Sequence, residues 1–162
     1  MRPIITCVAG LLFFLMGVNM GFSAGNNILA VSATIVSSHN CRFNTNSSSL
    51  VFGTLDPASP VDRTANTSVT FRCTGGGPPA PATFFIKHDS GLHSEAPGSP
   101  RMRHATVTTE YLPYSLTLNP TTGTVPRNTN QTLTISGTVA GSDFQGAYAG
   151  SYTDTVVLSI TP

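Results

Sequence analysis

Residues Gly150 to Pro162 read G-S-Y-T-D-T-V-V-L-S-I-T-P and alternate with a period of two. Tyr152, Asp154, Val156, Leu158 and Ile160 share one face, while Thr153, Thr155, Val157, Ser159 and Thr161 share the other. That pattern predicts a β-strand with one largely apolar side. A strand of this kind needs a partner on each edge, or it presents a row of unpaired N–H and C=O groups. The question it raises is which segment supplies the second partner.

The rest of the chain repeats the same period. Leu29, Val31, Ala33 and Ile35 alternate with polar or small residues. Leu50 to Phe52 predict a short strand stopped by Gly53, and Asp56-Pro57 and Ser59-Pro60 mark a turn. Val69, Phe71 and Cys73 share a face, and Thr83 to Lys87 form an apolar strand after the Gly75 to Pro79 break. His88 to Pro100 read as a long loop, followed by a short strand within Met102 to Val107. Tyr114, Leu116 and Leu118 alternate, Leu133, Ile135 and Val139 form the penultimate strand, and Gly141 to Gly150 is a loop. No stretch carries a 3.6-residue apolar stripe. Short strands between Gly/Pro turns predict an all-β, immunoglobulin-like β-sandwich.

The first 24 residues have the layout of a secretory signal peptide. Arg2 gives a positive start, Ile4 to Val18 an apolar stretch, and Gly21, Ser23, Ala24 and Gly25 a small-residue cleavage region. Cuts after Ser23, Ala24 or Gly25 remain open. The apolar run is short and broken by Gly17 and Asn19, which argues against a stable membrane anchor. Cys7 falls within this leader and lacks a lipobox-like context. The remaining 25–162 form a single domain with two cysteines, Cys41 and Cys73, and an even count in an exported chain predicts their disulfide. Seven acidic residues balance eight basic ones, of which Arg2 belongs to the leader, and Lys87 is the only lysine. There is no basic stripe, so nucleic-acid binding is not expected.

The order of motifs resembles that of the spore coat protein U domain family, which includes subunits of archaic chaperone–usher pili. The residues that carry the likeness are "LVFGTLD" at Leu50 to Asp56, "VTFRCTGG" at Val69 to Gly76, Arg101-Met102, "EYLPYSLTLNP" at Glu110 to Pro120 and the terminal "GSYTDTVVLSI". The resemblance implies an incomplete immunoglobulin-like sandwich completed by a donor strand. In such pili a periplasmic chaperone first lends a strand, and at the outer-membrane usher the next subunit's N-terminal extension replaces it. Carried onto this sequence, residues 25–37 would be the donor-strand segment with Leu29, Val31, Ala33 and Ile35 as its inward knobs. Tyr152, Val156, Leu158 and Ile160 would form the edge of the acceptor groove. Partners would be identical or related pilin subunits, the chaperone and the usher. The implied role is structural: a secreted surface fibre supporting adhesion and biofilm formation, passing through the periplasm to the cell surface, with no cofactor and no catalytic residue.

Other constellations carry less. His88, Asp89, His93 and Glu95, with His104 nearby, hold side chains that ligate divalent metals, yet in a Gly- and Pro-rich loop no regular element fixes their geometry. No G-x-S-x-G elbow or paired carboxylates indicate catalysis. Asp154 lies on the apolar face of the terminal strand, where an unpaired carboxylate would be costly, so a backbone amide or a tyrosine hydroxyl is expected beside it. Two alternatives to the fibre subunit remain. One is a self-contained secreted coat protein whose N-terminal segment completes its own fold; the other is a metal-binding periplasmic protein using the His-rich loop.

Overall fold

The computed structural model describes residues 32–33, 39–75 and 81–162. The chain divides into two units, Met1–Thr34 and Ile35–Pro162. In the first, Ser32 and Ala33 are exposed and irregular. The leader and the donor knobs Leu29, Val31 and Ile35 lie outside the described residues.

Among the described residues the second unit holds ten strands and one helical turn. They are β1 (His39–Phe43), β2 (Arg63–Gly75), β3 (Ala82–His88), β4 (Arg101–His104), β5 (Tyr111–Pro113), β6 (Ser115–Asn119), β7 (Thr122–Val125), β8 (Asn130–Val139), α1 (Gly141–Phe144), β9 (Tyr152–Thr153) and β10 (Leu158–Thr161). All pairings are antiparallel. One sheet runs β1-β2-β8-β6, a second β10-β3-β7 and a third β5-β4-β9.

The period-2 pattern explains how the layers close. In β2, Val69, Phe71 and Cys73 are buried while Ser68, Thr70, Arg72 and Thr74 are more exposed. In β8, Leu133 and Ile135 continue the same inner face. Opposite them β3 turns Ala82, Phe84 and Ile86 inward, and these residues with Val125 form one apolar cluster with the first sheet. Phe71 and Phe84 meet across the layers with ring centroids 4.8 Å apart, a tilted contact favoured by the ring quadrupoles. A second cluster joins Leu112, Val139 and Phe144, with Phe52, Leu55, Met102, Tyr114, Ala147 and Tyr152 packed against it.

Cys41 and Cys73 face each other directly in the β1–β2 register and form the expected disulfide, closing a separation of 32 residues. Two expectations need correction. Leu50 to Phe52 form no strand; instead Leu50 and Phe52 lie over Gly137 of β8, where a Cβ would come within 2.6 Å of Leu50 Cδ2 and 2.9 Å of Phe52 Cζ. Their apolar side chains are held by packing onto the sheet face, which periodicity cannot distinguish from strand pairing. The terminal strand is also interrupted. It pairs with β4 as β9 and with β3 as β10, and β3 and β4 belong to different sheets. Residues 154–157 bridge the gap without regular pairing.

Candidate functional site

β9 and β10 are each the outermost strand of their sheet, so among the described residues their other edges pair with no strand. Thr155 C=O accepts from Leu92 N–H (3.0 Å), and Val157 C=O accepts from Asp89 N–H (3.0 Å). Val157 N–H in turn donates to the Asp89 carboxylate at 3.0 Å. Successive residues of an extended chain point their backbone groups to opposite edges. With residues 155 and 157 committed to the 89–92 side, the backbone groups of Asp154, Val156 and Leu158 point to the unpaired edge.

A groove of about 890 Å³ runs along that edge. One side is lined by residues 48–55, the other by 147–156 and Leu158, with the buried Leu112 and Ile135 at its base. Leu116, Met102 and Phe144 add to a mostly apolar lining. Gly137 makes the first wall possible, since any side chain there would displace Leu50 and Phe52. The opposite wall is held by His104, which is buried. Its Nδ1 accepts from Thr106 N–H (3.1 Å) and Val107 N–H (2.9 Å), which leaves the proton on Nε2 to donate to the Ala149 carbonyl at 3.1 Å. Tyr152 packs edge-on against this ring, centroids 4.9 Å apart.

Of the residues read as the acceptor edge, Tyr152, Val156 and Leu158 line the groove. Ile160 is not among the lining residues; it packs against the first core cluster, where β1 lies beside β10. Asp154 has both kinds of partner expected of it. Tyr114 O–H donates to Oδ2 at 2.8 Å and His93 N–H donates to Oδ1 at 3.2 Å. Burial first, and then the bond to Asp154, push the Tyr114 phenol well above the ordinary tyrosine range. Gly91, with φ of +84°, touches Asp154 Oδ2 at the place a Cβ would occupy. The carboxylate is thereby fixed at the interior face, between the two apolar clusters.

The His-rich loop is not arranged as a ligand set: among the described residues no group of three or more His, Cys, Asp or Glu side chains converges to hold a metal. His88 Nδ1 donates to the Asp89 carbonyl at 2.6 Å, and Glu95 pairs with Arg101 at 3.6 Å. Asp89 works as a clasp, its Oδ1 accepting from both Gly91 N–H (3.0 Å) and Val157 N–H. Sequence reasoning missed the wall at 48–55 and the part played by Tyr114. Gly137, the one residue without a side chain amid the inner-face run Leu133, Ile135, Val139, was the available signal for the wall.

A family description, the Spore Coat Protein U domain, matches residues 27–159. Among solved structures the chain is similar to one from a chaperone–tip adhesin complex of CFA/I fimbriae biogenesis, with 16% identity and a TM-score of 0.48. That match covers 76% of this chain and 42% of the other, so this chain spans less than half of that protein's length. No curated protein gives a significant match.

Proposed function

The chain belongs to the Spore Coat Protein U domain family, and from that premise we propose that it is a structural, non-enzymatic subunit of a secreted surface fibre, assembled by donor-strand exchange. The observation that carries the reading is the open groove beside the unpaired edge of β9 and β10. A strand laid there would complete the backbone ladder, each hydrogen bond contributing about 0.5–1.5 kcal/mol net. It would also cover the half-buried Leu116 and bury its own Leu, Val and Ile side chains at about 1.5–3 kcal/mol each, with less from Ala33. The donor is the segment 25–37 of a neighbouring copy, with Leu29, Val31, Ala33 and Ile35 facing inward. Because the giving end and the receiving groove are different surfaces, the contact is heterologous and propagates as a filament.

Before assembly the same groove would be occupied by a strand from a periplasmic chaperone, and exchange would take place at an outer-membrane usher. The reading includes export by the 1–24 leader and a role of the fibre in adhesion and biofilm formation. The deciding experiment compares the mature chain 25–162 with a form lacking Gly25 to Ser37. The full form should associate into chains. The shortened form should require a chaperone or a synthetic 25–37 peptide for recovery, and should terminate assembly when mixed in. Stable monomers of both forms would overturn the proposal and favour a self-contained coat protein.

A further inference from the structure

Asp154 is the one acid on the interior face of the terminal strand, and it stands in the wall of the groove. It follows Tyr152 and precedes Val156 and Leu158 on the interior face, and its carboxylate is half-buried. It cannot swing aside, since Tyr114, His93 N–H and Gly91 hold it from three directions. Each of its oxygens accepts one of these bonds and keeps further acceptor capacity. A strand laid along the edge must cover this position. A branched aliphatic side chain placed there would strip water from the carboxylate without replacing it. A methyl group would leave room for that hydration.

The donor segment contains one small knob among three large ones: Leu29, Val31, Ala33, Ile35. We infer that Asp154 sets both the register and the direction of the incoming strand by accepting only Ala33 opposite it. The inference rests on the donor-strand reading above. Placing Ala33 at Asp154 leaves two directions. Antiparallel, Ile35 meets Tyr152, Val31 meets Val156 and Leu29 meets Leu158, so every large knob has an apolar partner. Parallel, Val31 meets Tyr152 and Ile35 meets Val156, which carries Leu29 back to Gly150 and leaves only Ser37 opposite Leu158. The antiparallel arrangement also sets Ala33, Val31 and Leu29 against Asp154, Val156 and Leu158, the residues whose backbone groups face the open edge.

The test uses the whole mature chain. Wild type, Ala33→Leu, Asp154→Ala and the double variant are assembled, and the half-life of the intersubunit joint is read from dissociation in denaturant. Ala33→Leu should shorten that half-life about tenfold on the Asp154 background, the size of a direct pair coupling, and far less on Asp154→Ala. Ala33→Ser, which keeps the size, should leave it unchanged. Should Asp154→Ala fail to fold, Asp154→Asn serves instead: it can still accept from Tyr114 and removes the charge, so the penalty of Ala33→Leu should shrink there too. A penalty equal on all backgrounds, or absent, overturns the register. A spin label on Gly25→Cys reads direction, broadening resonances near Thr161 when the strand is antiparallel; broadening near Gly146 instead overturns it. If the wild-type chain forms no joint, the fibre reading itself fails and the register with it. If it does while Ala33 and Asp154 show no coupling, only the register falls.

Discussion

Replacing Tyr114 by Phe removes one hydroxyl and leaves the ring, so it isolates the bond that holds Asp154. The lost contact is 2.8 Å long and its acceptor is a carboxylate. Hydrogen bonds to charged groups contribute about 1.5–3 kcal/mol. Both partners are half-buried, so water recovers part of that, and the expected loss is about 1–2 kcal/mol. For a domain of this size the corresponding fall in melting temperature is about 2–8 °C. Urea unfolding of the mature, disulfide-bonded protein should show a lower midpoint with an unchanged slope. The ring still packs on Phe52, 6.1 Å between centroids, so the core itself is not disturbed. Tyr152→Phe is the internal control: its hydroxyl donates to the Tyr148 carbonyl at the surface, and its loss should stay within about 0.5 kcal/mol. A double-mutant cycle with Asp154→Ala, which removes the acceptor, should give a coupling of about 1 kcal/mol. If Tyr114→Phe behaves like Tyr152→Phe, with no coupling to Asp154, then Tyr114 does not stabilise the carboxylate and the fixed polar notch does not exist.

Gly137→Val should displace Leu50 and Phe52 from β8 and lower stability by about 1–3 kcal/mol; the same variant should lose binding of a 25–37 peptide, checked by titration calorimetry, because one wall of the groove is removed. Substituting both Cys41 and Cys73 by Ala should cost about 3–4 kcal/mol through the loop they close, measured by urea unfolding against the oxidised wild type. The Tyr114 phenol, raised in the folded state, is protonated in folded and unfolded chains alike below about pH 10, where its contribution is fully present. Above that pH the unfolded chain ionises first, so stability should fall with alkalinity, and Tyr114→Phe should flatten the fall in pH-dependent melting curves.

Much of the fold was legible because period-2 burial is a local property. Val69, Phe71 and Cys73, and Leu133 with Ile135 and Val139, took the faces their alternation predicts, and the run 83–87 is the strand expected, with Phe85 turned outward. The Cys41–Cys73 pair followed from an even cysteine count in a chain read as exported. The requirement of a partner for Asp154 was also legible, since it depends only on an acid occupying an apolar face. What failed was local evidence for non-local events. Leu50 to Phe52 look like a strand, yet among the described residues their backbone joins no sheet, and what holds their side chains is the missing Cβ of a glycine 85 residues beyond Phe52. Asp89 and His104 each satisfy backbone N–H groups that only the folded loops bring to them.

Alternation and turn chemistry act over a few residues, and they suffice for an all-β chain with an amphipathic terminal strand in want of a neighbour. The folded arrangement of the sheets is what divides this strand between two of them and opens its free edge on a groove walled by 48–55. It also decided that Asp154 is locked there by Tyr114, 40 residues away in the chain. Packing and hydrogen bonding across such separations depend on how the sheets stack, and no local pattern encodes that.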